Sequence, residues 1–501
     1  MSNHFFFVQD RTELNLQHLD SEFAVEQTHG GHLFIKKEAG FAKTICDGKL
    51  VFLIGELYNV AALQTMLGQV EGNVWALNNA ELLALLRARL GDTAFSLVEG
   101  DFCLLTVDDK GDIEIITDPH GFNPVHVIEN DNLWITNNLK IVGKIEGARA
   151  FNFKPVEEVI AHSMKPDDFT PVINGRKLKP GSLSKIRSDE QSYHYIETRM
   201  LSTLINNNLL SLKKDRVFEI IDSIFTANLQ GVARTNATIG IPLSGGLDSS
   251  LITALASQSF KKVKTWSIGT EISNEFPFAQ IVSDTLGTEH EVKILSDRDV
   301  MSGILEAIYH NEIFDGLSSE IQSGLFNVYK LASGKVDALL TGYGSDLLFG
   351  GILNPGSFYS APNKLLAEQV YRTKWTGEFS TSGASHYGLK VYHPFWNNSL
   401  ISFCRNLDPD FKIKDNEVKN VLREYTGSLK SLPDEIVWRK KIGIHEGSSV
   451  NKAFANLLNT SVDNYQEKTR FAYTLYKEFM QEKLLPEEAT PEKLRELMAK
   501  S

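Results

Sequence analysis

The stretch Ile239-Gly240-Ile241-Pro242-Leu243-Ser244-Gly245-Gly246-Leu247-Asp248-Ser249-Ser250 predicts a short apolar strand, a glycine turn and the first turn of a helix. Gly245 and Gly246 lack a Cβ atom, so their backbone can adopt a positive φ and approach a ligand closely. A helix that begins near Asp248 directs unpaired N–H groups at an anion. Further hydroxyl donors come from Ser244, Ser249 and Ser250. The stretch therefore predicts a phosphate-binding loop.

This loop is not a Walker loop, because no Gly-Lys-Ser/Thr follows its glycines. The phrase Ser-Gly-Gly-Leu-Asp-Ser-Ser at residues 244–250 instead resembles the PP-loop of ATP pyrophosphatases. These enzymes cleave ATP between the α- and β-phosphates and hold the departing pyrophosphate. The alternative is an ordinary βα turn with Asp248 as the helix cap.

Composition limits the class of protein. A chain of 501 residues is expected to form two domains. The net charge of −12 argues against a dedicated nucleic-acid surface. Three scattered cysteines without metal-ligand spacing favour a reducing compartment. With no signal peptide and no run of roughly 18 apolar residues, we expect a cytoplasmic protein. Its expected partner is a small-molecule amino-acid substrate, with no nucleic acid or membrane, and a homo-oligomer is left open.

Residues 1–205 are predicted to form the first domain. They are rich in short alternating runs separated by Gly, Asp and Asn turns, which is typical of antiparallel sheet. Helical patterns at residues 60–67 and 81–90 interrupt them. The predicted strands are residues 5–8, 32–35, 50–53, 102–107, 113–117 and 132–136.

Four phrases of this domain resemble the glutaminase domain of glutamine amidotransferases with an N-terminal nucleophile, which implies an Ntn-hydrolase-like αββα sandwich of α+β class. In that family residue 2 is a cysteine whose own amine is the general base, whereas this chain has Ser2. A serine hydroxyl is a far poorer nucleophile, although it could in principle use its own amine. We expect an inactive scaffold and hence no internal source of ammonia. The phrases are Gly55-Glu56-Leu57-Tyr58-Asn59, Glu99-Gly100-Asp101-Phe102, Asp118-Pro119-His120-Gly121-Phe122-Asn123-Pro124 and Lys179-Pro180-Gly181.

Residues 206–501 are predicted to form the second domain, in which strands alternate with helices as in a parallel, doubly wound α/β sheet. Ligands bind such sheets beyond the carboxyl ends of the strands. Two further phrases of interest lie at the ends of predicted strands: Ser267-Ile268-Gly269 ends one strand, and Thr341-Gly342-Tyr343-Gly344-Ser345-Asp346 follows another. Thr490 and Pro491 are expected to cap and begin the last helix. The other predicted strands are residues 263–268, 291–294 and 336–340. The predicted helices are 217–229, 249–257, 277–286 and 416–425, with more than one helix from about 298 to 333.

The second domain resembles the synthetase domain of class B asparagine synthetases and of their relatives that close β-lactam rings. The resemblance implies a PP-loop ATP pyrophosphatase fold of the adenine nucleotide α-hydrolase-like type, and an enzyme that uses ATP and Mg²⁺. The phrases that carry it, in family order, are residues 244–250, Ser267-Ile268-Gly269, Glu275-Phe276, Leu286-Gly287-Thr288-Glu289-His290, residues 342–351, Pro394-Phe395-Trp396 and Trp438-Arg439-Lys440-Lys441.

Two residues depart from the asparagine synthetases. Tyr343 stands where they have a glutamate, and Glu378 follows later in the chain. The pair matches the Tyr-Glu dyad of β-lactam synthetase and carbapenam synthetase. Together with the missing cysteine and an overall likeness in wording and length, it makes the chain resemble the carbapenam synthetases most. With a reference pKa near 10, Tyr343 suits removal of a proton from an attacking ammonium if Glu378 orients it. The alternatives are a ligand-stacking wall for Tyr343 and a solvated charge for Glu378.

Three more residues have expected roles. Asp248 and Asp346 are predicted to hold two Mg²⁺ ions that neutralise the phosphates, although Asp346 could also be a helix cap. Lys441 resembles the lysine of the family's Trp-Arg-x-Lys phrase, which implies stabilisation of the oxyanion and the departing AMP. Arg439 and Lys440 compete for that role, and a surface cluster is the other interpretation.

The nucleotide is expected to lie with its adenine between Leu243 and the segment Ser267-Ile268-Gly269, with Leu325 as an added wall. Residues 442–447 are expected to form a mobile cover that protects an acyl-adenylate from water. The predicted nucleotide-binding residues are Leu243, Ser244, Gly245, Gly246, Leu247, Asp248, Ser249, Ser250, Ser267, Ile268, Gly269, Leu325 and Gly342.

The sequence leaves several functions open. The first is a ligase that adenylates a carboxymethylproline-like β-amino acid and closes a carbapenam, and its near rival is a β-lactam synthetase that acts on an open-chain guanidino amino acid. Asparagine synthetase-like amide transfer is another reaction class, and a non-catalytic ATP-binding scaffold is the last. Ser2 and Tyr343 disfavour amide transfer.

Overall fold

The computed structural model describes residues 4–9, 22–69, 72–130, 132–162, 170–188, 193–201, 209–354, 356–415, 417–440 and 442–500. The chain divides into two compact units. The first comprises Met1–Thr203, Lys374–His386 and Thr474–Ser501, and the second comprises Leu204–Thr373 and Tyr387–Tyr473. The division predicted between residues 205 and 206 lies outside the described residues, and it had assigned the two later segments of the first unit to the second domain.

Two antiparallel sheets form the first unit. The strands are β1 (Phe5–Gln9), β2 (Phe23–Thr28), β3 (Gly31–Lys36), β4 (Phe41–Cys46), β5 (Lys49–Leu57), β6 (Gly100–Val107), β7 (Ile113–Thr117), β8 (His126–Glu129), β9 (Leu133–Thr136), β10 (Gly175–Lys177), β11 (Ser182–Ser188) and β12 (Tyr193–Met200). Their orders are β10-β8-β9-β1-β3-β2 and β12-β11-β7-β6-β5-β4. Five of the six runs predicted as strands fall within these elements, and the sixth, residues 132–136, begins one residue before β9.

The core of the first unit lies between the two sheets. Because side chains alternate along a strand, Phe7 and Leu33 of one sheet meet Phe52 and Leu105 of the other. The opposite face of the second sheet packs against the two predicted helices, α1 (Val60–Gly68) and α2 (Asn79–Leu90). This layering confirms the αββα sandwich.

A five-stranded parallel sheet organises the second unit. Its strands are β13 (Thr238–Pro242), β14 (Lys262–Thr270), β15 (Glu289–Leu295), β16 (Ala338–Leu340) and β17 (Lys390–Tyr392). The order β15-β14-β13-β16-β17 places the earliest strand in the middle, and the chain reverses direction across the sheet between β13 and β16. Doubly wound sheets bind ligands at such a point, beyond the carboxyl ends of the strands.

The remaining elements are mainly helical, and no helix in the described part of the chain is long and apolar enough to cross a membrane. They are α3 (Leu139–Glu146), α4 (Lys154–His162), α5 (Lys214–Ala233), α6 (Leu247–Ser259), α7 (Phe276–Leu286), α8 (Asp297–His310), α9 (Gly316–Ala332), α10 (Ser345–Phe349), α11 (Pro362–Thr373), α12 (Ser382–His386), α13 (Asn398–Asn406), β18 (Ile413–Lys414), β19 (Glu417–Val418), α14 (Asn420–Ser428), α15 (Asp434–Val437), α16 (Ile444–Gly447), α17 (Val450–Leu457), α18 (Tyr465–Met480) and α19 (Pro491–Lys500).

One helix prediction was wrong at its start. A helix over residues 416–425 was expected, but residue 416 lies outside the described residues and β19 pairs with β18 in a short hairpin. Helix α14 begins only at Asn420, after Lys419 in a left-handed conformation (φ 59°). The predicted cap of the last helix is confirmed, since Thr490 Oγ1 accepts a hydrogen bond from the Lys493 N–H at 3.3 Å.

Candidate active site

The predicted phosphate loop joins β13 to α6. Gly245 has a φ of 71°, and a Cβ there would lie 2.5 Å from the Ala279 nitrogen, so both conformation and space require glycine. The Ser249 hydroxyl lies 3.2 Å from the Ser244 nitrogen and 3.1 Å from its Oγ, which ties the loop to the first turn of the helix. Ser250 is fully buried, and its Oγ has no hydrogen-bond partner among the described residues. The amino end of α6 is thus a rigid, N–H-rich site for an anion.

The segment after β16 lies directly beside this loop. A Cβ on Gly342 would be 2.8 Å from the Ser249 nitrogen and 3.0 Å from the Asp248 Cβ, so the two segments could not approach as they do with a larger residue. Tyr343 follows at once, half-buried, with its ring centroid 6.2 Å from that of His393. The predicted phosphate loop and Tyr343 therefore belong to one site.

Lys419 links the two predicted metal ligands. Its Nζ lies 2.7 Å and 2.6 Å from the two carboxylate oxygens of Asp248 and 2.5 Å from Oδ1 of Asp346. The side chain is only 1% exposed. Burial lowers the pKa of Lys419, but attraction to the two carboxylates outweighs burial and the pKa rises above its ordinary value. Lys419 is therefore held as a cation at the edge of the phosphate loop. It was not among the site residues predicted from the sequence.

The carboxylates also bear on metal binding. Asp248 and Asp346 direct oxygens at one point, the Lys419 ammonium, and a Cβ on Gly351 would lie 2.0 Å from Asp346 Oδ1. Hard oxygen donors suit Mg²⁺, which takes its other ligands from phosphates and water. The described residues hold no group of three or more His, Cys, Asp or Glu side chains placed for a metal. The Lys419 ammonium already pairs with both carboxylates, so binding of one or two Mg²⁺ ions by Asp248 and Asp346 stays a prediction.

A small cleft lies at the ends of β13 and β14. It brings together four residues of the predicted nucleotide site, whereas Leu325 on α9 is buried and Val328 of the same helix lines the cleft instead. Ile444, from the predicted cover, and Ser448, the residue after it, also contribute. Its lining consists of Pro242, Leu243, Ser244, Trp266, Ser267, Ile268, Glu275, Phe276, Val328, Ile444 and Ser448.

Arg439 closes one side of the phosphate loop. Its guanidinium lies 3.6 Å from the centre of the Phe278 ring and pairs with the Glu275 carboxylate. Its Nη1 donates to the Ser244 carbonyl at 3.5 Å. Because Gly447 has no Cβ to clash with Glu275 Oε2, α16 can approach the same ion pair. Of the basic residues 439–441, Arg439 is therefore held at the site, and Lys441 lies outside the described residues.

Glu378 belongs to the first unit, within Lys374–His386, whereas Tyr343 belongs to the second. Their predicted partnership stays a prediction. Glu378 is half-buried and follows Gly377, whose φ is 76°. Ser2, the expected replacement for a nucleophilic cysteine, lies outside the described residues.

Comparison with known proteins agrees with this geometry. Residues 3–201 match the family model described as carbapenam-3-carboxylate synthase, N-terminal, and residues 223–384 and 378–499 match the model described as asparagine synthase. Carboxyethyl-arginine beta-lactam-synthase of Streptomyces clavuligerus is 31% identical over 218 residues, 44% of this chain. That match spans only 42% of the relative's own length.

Other relatives are more distant but match over more of the chain. The glutamine-hydrolyzing asparagine synthetase of Homo sapiens is 24% identical over 478 residues, which cover 91% of this chain and 74% of that protein. The solved NMN synthetase from Francisella tularensis covers 52% of this chain and 94% of its own at 11% identity and a TM-score of 0.29, too low to carry an argument. Since the asparagine synthase model matches more than half of the residues, the chain belongs to the asparagine synthase family.

Proposed function

We propose that this protein is an ATP-dependent ligase that adenylates a carboxymethylproline-like β-amino acid and closes a β-lactam ring, giving a carbapenam, AMP and pyrophosphate. The observation that carries the proposal is the junction of the phosphate loop with Tyr343, made close by Gly342. The matched amino-terminal family, whose description names a carbapenam-3-carboxylate synthase, supports the choice of product.

In the first step, a carboxylate oxygen of the substrate attacks the α-phosphorus of ATP, an O–P bond forms and pyrophosphate departs. The N–H groups at the start of α6 and the Ser244 hydroxyl bind the departing oxygens. Lys419 adds a buried positive charge at the same edge. Mg²⁺ held by Asp248 and Asp346 would supply further neutralisation of phosphate charge.

In the second step, the amine of the same molecule attacks the acyl carbon, a C–N bond forms and the C–O bond to AMP breaks. Tyr343 relays the proton that the ammonium must lose: its phenol oxygen accepts that proton while its own O–H proton passes to the Glu378 carboxylate, which also orients the phenol. Lys441 stabilises the developing negative charge. A tethered amine can have an effective molarity of about 10⁵–10⁸ M. The reaction therefore needs no free ammonia, which accords with Ser2 at the amino terminus.

The test is direct. The protein is incubated with ATP, Mg²⁺ and carboxymethylproline, and mass spectrometry follows the substrate while AMP and pyrophosphate are quantified. We expect a product lighter by one water, with one AMP and one pyrophosphate for each ring formed. Conversion of ATP to ADP, or an unchanged substrate, would contradict the proposal.

A second candidate is ring closure of an open-chain guanidino amino acid. It is favoured by the 31% identity to a carboxyethyl-arginine beta-lactam-synthase. The same assay with carboxyethyl-arginine distinguishes the two by which substrate loses water at the higher kcat/KM. A third arm with aspartate and glutamine or ammonia tests amide transfer, for which asparagine formation or glutamate release would be the signature.

A further inference from the structure

The segment that carries Glu378 is anchored to the first unit on both sides of that residue. On the amino side, the Lys374 ammonium donates to the Pro119 carbonyl at 2.7 Å. Lys177 Nζ donates to the Trp375 carbonyl at 2.9 Å. A Cβ on Gly121 would lie 2.2 Å from the Lys374 carbonyl oxygen, so the backbones are in close contact.

On the carboxyl side, the anchor is a buried carboxylate. The Thr381 hydroxyl donates a hydrogen bond to Asp101 Oδ2, and the Thr381 N–H lies 3.4 Å from the Phe122 carbonyl. Asp101, on β6, is 3% exposed and Thr381 is 6% exposed. Phe379, next to Glu378, packs its ring 6.5 Å from that of Phe122.

A carboxylate is an expensive choice for this position. Burying a polar or charged side chain costs desolvation free energy that an apolar side chain does not. A hydrogen bond offsets this cost only when it is well directed. A hydrogen bond has a preferred length and angle, so a buried one restrains the two groups that it joins. The bond from Thr381 to Asp101 therefore restrains the backbone three residues after Glu378.

We propose that Asp101 is a positioning residue for the ligase reaction, which holds Glu378 in place through Thr381. The inference rests on the proposed function, in which Glu378 orients Tyr343. The inference assigns a function to the first unit in a chain that has Ser2 instead of a nucleophilic cysteine. The first unit fixes the segment Lys374–His386, which contains the Glu378 carboxylate.

The test is a double-mutant cycle between Thr381→Val and Glu378→Gln, read as the single-turnover rate of ring closure. Thr381→Val alone should slow ring closure by about 10- to 100-fold, since small misplacements near reacting groups cost up to that much. The KM for ATP should change by less than about twofold, and Thr381→Ser, which keeps the hydroxyl, should restore the rate. In the Glu378→Gln enzyme, Thr381→Val should have almost no further effect.

Thr136→Val is the matched control, because Thr136 is fully buried in the same unit and its hydroxyl donates to the Phe5 carbonyl at 2.9 Å. It should lower stability without slowing ring closure. Amide hydrogen exchange should be faster over residues 376–382 in Thr381→Val but not in Thr136→Val. If Thr381→Val does not fold, Asp101→Asn replaces it in the same cycle.

The positioning role is wrong if Thr381→Val slows ring closure equally in the wild-type and Glu378→Gln enzymes, or if Thr381→Val alone closes the ring at the wild-type rate. Either result leaves the proposed function intact. A wild-type enzyme that forms no lactam from any of the offered substrates would overturn the proposed function, and the positioning role with it.

Discussion

Among the residues beside the phosphate loop, Lys419 should be the one whose replacement lowers stability most. Its ammonium lies between two carboxylates in a site where its side chain is 1% exposed. Replacing Lys419 with Met would leave Asp248 and Asp346 facing each other, and loss of one partner of a buried ionic cluster typically costs about 3 kcal/mol. We expect a fall of about this size in the free energy of unfolding, together with loss of pyrophosphate release.

The control for Lys419→Met is a double variant that also removes one of the two carboxylate charges beside Lys419. Adding Asp346→Asn to Lys419→Met removes one of the two repelling carboxylates, so the double variant should unfold at a higher Tm than Lys419→Met alone. Urea titration of the three variants measures both effects. A double variant less stable than Lys419→Met would show that Lys419 acts by packing and not by charge.

Tyr343 should affect the second half of the reaction only. Tyr343→Phe keeps the ring beside His393 and removes the hydroxyl, so adenylation should continue. General acid–base groups typically contribute 10²- to 10⁴-fold, and we expect ring closure to slow by at least about 100-fold. Rapid-quench measurement of acyl-adenylate and lactam separates the steps, and His393→Asn serves as the neighbouring control. Equal ring-closing rates in Tyr343→Phe and wild type would contradict this role.

At the scale of elements, the turn between β13 and α6 should fail when its glycine is lost. A methyl group on Gly245 would meet Ala279 and Phe278 at 2.5–2.6 Å, whereas one on Gly287, also at positive φ, would meet nothing within 4 Å. Gly287→Ala should therefore cost only about 1–2 kcal/mol of stability through its backbone. Gly245→Ala should also raise the KM for ATP by at least about tenfold. Similar KM values in the two variants would show that backbone strain alone governs this loop.

The elements that the sequence predicted correctly are those whose pattern is local. The apolar residues of a run such as 102–107, all of which are buried in β6, indicate a strand, and an apolar strand that leads into a glycine turn indicates the backbone conformation that follows it. The role of Lys419 was not predicted, because its neighbours suggest a helix over residues 416–425. The chain instead forms a hairpin there, and Lys419 adopts a φ of 59°. Its partners lie 171 and 73 positions away, and no periodicity encodes such pairings.

At the scale of the whole molecule, the division of the chain was the hardest feature to predict. The first unit contains Lys374–His386 and Thr474–Ser501 as well as the amino-terminal residues. Neither later segment has a composition that sets it apart from its neighbours, and α18 even crosses the boundary between the units. Their assignment depends on long-range contacts, such as Phe153 with Tyr476, whose ring centroids are 6.2 Å apart.

This organisation predicts that the synthetase region cannot work alone. In a fragment that starts at residue 206, both later segments lose the sheets and helices against which they pack. Gly143 of α3, for example, leaves no room for a Cβ because the Met480 carbonyl would be 2.2 Å away. The fragment should expose the apolar surface of α18, aggregate in size-exclusion chromatography and form no lactam. Co-expression of residues 1–205 as a separate chain should restore solubility and part of the activity, because the missing surfaces would be supplied in trans. A fragment that unfolds cooperatively at the wild-type Tm and closes the ring at the wild-type rate would show that the first unit is dispensable.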